Sequence, residues 1–283
     1  MKQFKALMIK EWRTQRNTFM ASIWFTSVMY GMVLIALVIS LFKSGVIHTA
    51  NLEIASLGMA ERNMISFYAN AGVAALLGFV ATLQGVTVAD VIINGDYRKR
   101  CGIFHLSQPV SLLKIMSAKY ASLIGFCLAI LIGLNLFNSV VISSVMSIKL
   151  GSGFFIGMLG ALVATIQTVF SFVFSVSLVW LFATAFKKNP LLMGLLIVGG
   201  IEASIHVLNY FAGLNIPSLW MYIMRLAELS VKFDASSSDP SRLSDLPAYG
   251  KLNIFNWYNL QRVVYAVIFF FAGYHLFRRR EIA

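Results

Sequence analysis

The chain has 283 residues, 59% hydrophobic and 12% charged, with 23 Lys and Arg against 11 Asp and Glu for a net charge of +12. An ordinary soluble domain carries about twice that charged fraction, so water cannot be the main solvent for this surface, and no room remains for a soluble catalytic domain. The positive balance does not point to nucleic acid, because the basic residues are split among short segments between apolar runs and do not gather on one wet face.

Residues 2–16 come first. At 3.6 residues per turn, Lys2, Lys5, Lys10, Arg13 and Arg16 fall on one side and Phe4, Leu7, Met8 and Trp12 on the other, which predicts an amphipathic helix lying along the inner membrane surface. Without helical order the same charges would still serve as a positive flank. Asn17 to Phe42 is a run of 26 uncharged residues, against roughly 20 needed to cross the hydrocarbon. It is too long for a signal-peptide core, and no convincing small-residue cleavage site follows it.

Further uncharged runs are Asn63 to Ala89, Tyr120 to Ile148, Leu150 to Phe186, Asn189 to Ile201 continuing past Glu202, and Val263 to Phe277. The expected fold is all-α: a single membrane domain over 1–283, with six transmembrane helices preceded by the interfacial helix. The fourth run is overlong. Its Gly151, Gly153, Gly157 and Gly160 predict an irregular entry, with the span nearer Gly160 to Phe186. The last run has 15 residues, so its helix should start near Trp257 and let Arg262 snorkel to the outer interface.

With the N-terminus inside, alternate segments place 15 Lys and Arg inside and 8 outside, five of the latter in the long segment before the last helix. Long loops lose their weight in the positive-inside rule, and the short loops then favour both termini on the cytoplasmic side of a cytoplasmic (inner) membrane. In the third span Ala121, Gly125, Ala129 and Gly133 recur every four residues, and Gly153 and Gly157 open the fourth. Such ribbons let helix backbones approach, within the subunit or at a dimer seam. The outer loop, 211–256, begins with a predicted interfacial helix carrying Arg225, Glu228 and Lys232 on one face and Trp220, Ile223, Leu226 and Val231 on the other. Asp234 to Gly250 is rich in Ser, Asp and Pro and reads as a surface loop, either a dock for an extracytoplasmic partner or a tolerated insertion.

Chemistry-bearing groups are few. Glu202 lies about 18 Å along its helix from Pro190, near the bilayer midplane. His206 follows on the same face, so the two could line a translocation path, serve an intramembrane enzyme, or form a polar pair that orients helices. Enzyme motifs are missing: Leu150-Gly151-Ser152-Gly153 lacks the first glycine of an intramembrane serine-protease motif, and there is neither a His-Glu-x-x-His nor a phosphate loop. The chain by itself is therefore not expected to be an enzyme or to bind a cofactor. The 13 methionines scatter through apolar runs, and Cys101 and Cys127 suggest neither a disulfide nor a metal site.

The segment 90–119 between the second and third spans is the most informative. It reads Asp96-Tyr97-Arg98-Lys99-Arg100, then Gly102-Ile103-Phe104-His105-Leu106, then Ser107-Gln108-Pro109-Val110-Ser111. Pro109 suits the first turn of a short helix on the cytoplasmic face, and a plain positive-inside loop fits equally well. A charged lead, a glycine, an apolar stretch and then Ser-x-Pro-Val-Ser before Lys119 resembles the permease subunits of ABC-2 type ABC transporters. The resemblance covers nearly the whole chain, including the tail Tyr274-His275-Leu276-Phe277-Arg278-Arg279-Arg280-Glu281.

The resemblance implies a transmembrane permease subunit, an exporter driven by a separate ATP-binding subunit that brings ATP and Mg. Two copies of that subunit would join a second copy of this chain or a related permease. It also implies that Asp96, Arg98, Gly102, Leu106, Ser107, Pro109, Val110 and Ser111 form the coupling region, with Gln108 inside it and Lys187 and Lys188 in the second inner loop. Cys101 and Gln108 depart from the family pattern, and the loop before the last helix is longer than in many relatives. A scaffold or channel independent of ATP, binding a partner through the outer loop, is the rival reading.

Overall fold

The computed structural model describes residues 2–42, 58–98, 110–228 and 256–282. Among them there are eight helices and no strand: α1 (Lys2–Phe19), α2 (Ala21–Phe42), α3 (Met59–Arg98), α4 (Leu112–Leu150), α5 (Phe154–Ala185), α6 (Pro190–Ala212), α7 (Leu219–Ala227) and α8 (Trp257–Ile282). Five of them, α3, α4, α5, α6 and α8, are long and apolar enough to cross a membrane. An uncharged run in a medium without water must bond its own backbone, and a helix is the one local way to do so.

Helix α5 is the hub. It packs against α3 along much of its length and also touches α4, α6, α7 and α8. Its glycines explain the close fit to α3: a methyl group at Gly160 would lie 2.3 Å from the Phe67 carbonyl oxygen, and one at Gly157 would lie 2.5 Å from Ser143 Oγ and 2.7 Å from Ser66 Oγ. The irregular entry expected at four glycines is confined to two. Gly151 ends α4 in the left-handed region (φ 66°) and Gly153 is the N-cap of α5, whereas Gly157 and Gly160 lie inside the helix as contact points.

The small-residue ribbon on α4 does not pack inside the subunit among the described residues. Methyl groups added at Gly125 or Gly133 would meet nothing within 4 Å. The apolar face of α1 is turned onto the protein. Trp12 stacks on Phe19 at 5.6 Å and meets Phe126 of α4 at 4.9 Å, while Lys5, Lys10, Arg13 and Arg16 are exposed.

The break at Met20 has a specific cause. Ile23 N–H turns to the Met20 carbonyl, and Gln84 of α3 donates to the carbonyls of Thr18 (2.7 Å) and Phe19 (2.5 Å) that a continuous helix would have used internally. The amide oxygen of Gln84 accepts from Ser22 in turn.

Candidate functional site

At 1.5 Å per residue the 40 residues of α3 and the 39 of α4 make rods of about 60 Å each, roughly twice a hydrocarbon core. The segment expected to be a loop from Asp90 to Lys119 is therefore helical at both ends: Asp90 to Arg98 continue α3, and Leu112 to Lys119 begin α4. Asp96 and Arg98 fall in the last turn of α3. Ser111, with φ −60° and ψ 139°, is the N-cap of α4, and Val110 precedes it. Gly102, Leu106, Ser107, Gln108 and Pro109 lie outside the described residues, so the short helix expected at Pro109 does too. From Leu112 onward α4 is one continuous rod.

Two polar ties organise this end. Lys119, buried in α4, donates to the Ile92 carbonyl of α3 at 2.7 Å and lies 3.7 Å from Glu11 of α1. Nearer the N-terminus, Lys114 donates to Gln3 at 2.9 Å. The second tie is Asn94 of α3, which donates to Asp90 Oδ1 at 2.8 Å and to the carbonyls of Ala183 and Phe186, both at 3.2 Å. These carbonyls end α5 and have no helical partner of their own. Immediately beyond lie the exposed Lys187 and Lys188, then Asn189 in the left-handed region (φ 47°) and Pro190 at the first turn of α6. The structure thus brings the end of α3 and the α5–α6 connection together. Sequence reasoning passed over Asn94, Glu11 and Gln84, whose one legible signal was a polar residue in an otherwise apolar helical face.

At the opposite end, Glu202 and His206 lie one turn apart on α6 in different surroundings. Pro190, Gly194 and Val198 are the buried residues of α6; Glu202 extends this four-residue stripe and turns its carboxylate to the start of α7. Ser218 Oγ donates to Glu202 Oε1 at 2.5 Å, Trp220 N–H to Oε2 at 3.1 Å, and Met221 N–H to Ser218 Oγ at 3.1 Å. The carboxylate and the hydroxyl together cap the helix. His206 Nε2 is 3.3 Å from Glu202 Oε1, but its side chain is 72% exposed against 16% for the glutamate.

Asn209 makes two bonds to the Ile216 backbone, 2.8 and 2.7 Å, which fold the chain back after Gly213 ends α6 in the left-handed region. On α7, Leu226 is buried and Ile223 partly so, and Trp220 is 41% exposed alongside Met221 and Met224. Lys232 and Val231 lie outside the described residues.

Arg262, expected at the outer interface, is instead 2% exposed. Its guanidinium donates to the carbonyls of Leu226 (2.8 Å), Glu228 (2.9 Å) and Arg225 (3.3 Å) and to Asn259 Oδ1 (2.9 Å), and Ser171 of α5 donates to Ala227 O at 2.5 Å. The Tyr222 hydroxyl faces that of Tyr265 at 3.1 Å, and burial followed by this neighbour pushes the Tyr222 hydroxyl up to about 12.

No family model, no curated protein and no solved structure matches this chain.

Proposed function

We propose that this chain is the permease subunit of an ABC-2 type transporter, moving a substrate outward across the cytoplasmic membrane with energy from a separate ATP-binding subunit. In this reading α2, 22 uncharged residues long, is the first of six spans. Helix α1 is the interfacial helix at the inner surface, with its basic face toward water and lipid headgroups. Both termini are cytoplasmic. Two ATP-binding subunits engage a pair of permeases, this chain with itself or with a relative, and they supply ATP and Mg, since this sequence has no phosphate loop.

One observation supports the reading most. The rods α3 and α4 are about twice as long as a bilayer requires, and the end of α3 sits beside the Lys187 and Lys188 connection through Asn94. A surface made from both inner loops is what a cytoplasmic motor would need to press on. The outer end fits a closed seat better than a channel mouth, because Glu202 and Arg262 are spent on holding α7.

The test is the exchange Val110→Asp. An unpaired charge buried at an interface typically costs several kcal/mol, enough to shift affinity by orders of magnitude. Membrane insertion should survive, while co-purification of the ATP-binding subunit falls at least tenfold. Ser237→Asp in the outer loop should leave that association unchanged. If no ATP-binding protein accompanies the active, unsubstituted chain, the permease reading gives way to an ATP-independent scaffold or channel.

A further inference from the structure

We propose that Asn94 is a positioning residue that makes the end of α3 and the α5–α6 connection a single bearing surface for a cytoplasmic partner. Helices α3 and α5 already share a long apolar face, in which Val88, Ala89, Ile92 and Ala183 are buried. Packed helices can still slide past one another by small shear motions. A side chain that bonds the terminal carbonyls of the neighbouring helix fixes the axial position instead.

Asn94 is built for that. It is fully buried, and its one nitrogen is surrounded by three acceptors, Asp90 Oδ1 and the carbonyls of Ala183 and Phe186. Two hydrogens serve three acceptors, so one bond is shared. The reversed amide would set oxygen against oxygen, so the orientation is chemically determined. The amide oxygen is buried with no partner of its own among the described residues, which marks a residue kept for its donors. Asp90, one turn earlier, orients the amide. Phe186 is the residue before Lys187, and Arg98 lies one turn beyond Asn94. A push on the end of α3 therefore reaches the α5–α6 connection through one short polar link.

The nature of the partner rests on the reading in the preceding section; the tie does not. The experiment uses the full chain in lipid nanodiscs with Cys101→Ser, the remaining Cys127 being buried. Spin labels are placed at Thr87→Cys and Lys188→Cys, both exposed positions. The unsubstituted tie should give one narrow distance distribution, and Asn94→Leu or Asn94→Ser should at least double its width. Asn135→Leu removes another buried amide, bonded to Thr165 at 2.9 Å between α4 and α5, and should leave the width unchanged.

Parent-like widths in both Asn94 variants overturn the proposal. So does loss of folded protein in both, because Asn94 would then serve the core at large. Where an ATP-binding protein co-purifies, Asn94→Leu should retain it within twofold and abolish stimulation of its hydrolysis by this chain; undiminished stimulation also overturns the proposal. Where none co-purifies with the parent, the permease reading fails, and the label distances still decide on the tie.

Discussion

Glu202 and Arg262 hold opposite ends of the same nine-residue helix, the carboxylate at the N-terminus of α7 and the guanidinium at its C-terminus. Each charge has the sign that the helix dipole favours at that end, and each comes from a helix flanking α7 in the chain. Arg262→Met should destabilise the protein by roughly 2–4 kcal/mol, because the buried bond to the Leu226 carbonyl is lost at about 1.5–3 kcal/mol for a charged donor, while the part-buried carbonyls of Arg225 and Glu228 can turn to water and add less. Thermal unfolding in detergent should show the lowered midpoint; an unchanged midpoint would mean that water replaces the guanidinium.

The partners of Glu202 should separate in a double-mutant cycle. Ser218 both donates to the carboxylate and accepts from Met221 N–H, so Glu202→Ala and Ser218→Ala should be strongly non-additive in unfolding midpoint. The largely exposed His206 should couple less. Equal coupling for the two would mean that His206 holds the carboxylate as firmly as Ser218 does.

Gly160→Ala and Gly125→Ala are a matched pair of opposite expectation. The first sets a methyl group against the Phe67 carbonyl, a backbone atom that cannot swing aside, and the second meets nothing within 4 Å. Overpacking costs about 1–3 kcal/mol, whereas alanine gains up to about 1 kcal/mol over glycine in a helix. Unfolding midpoints that move together would contradict the α3–α5 contact.

The Lys119–Glu11 contact should govern how firmly α1 is docked. Removing one member of a buried pair costs about 3–5 kcal/mol, so Lys119→Met should loosen α1 and let trypsin cleave after Lys10 and Arg13 at rates several-fold above the parent. Lys5→Gln, on the exposed face, should leave the digestion rate unchanged.

Topology is testable by reporters. One fused after Ala283 and one inserted near Gln108 should be cytoplasmic, and one near Ser237 external, if the excess of basic residues in alternate short segments sets the orientation. An external signal near Gln108 would overturn the six-span reading.

The helices were legible because an uncharged run of twenty or more residues has one way to satisfy its backbone in hydrocarbon, and starts such as Trp257 and Pro190 follow from local chemistry. Charge and composition likewise determine, without any contact, that this is a membrane protein. What charge alone could not determine is where a charged residue goes. Arg262 is buried at the end of α7 because three carbonyls wait there, and Glu202 faces Ser218 because Asn209 folds the chain back. Asp90 to Arg98 read as loop by polarity but stay helical, because Asn94 and Lys119 find partners on neighbouring helices. The ribbon at Gly125 and Gly133 carried the same signal as Gly157 and Gly160, yet one faces outward and the other grips α3. Spacing along a helix sets which residues share a face; only the packing of the other helices decides what that face meets.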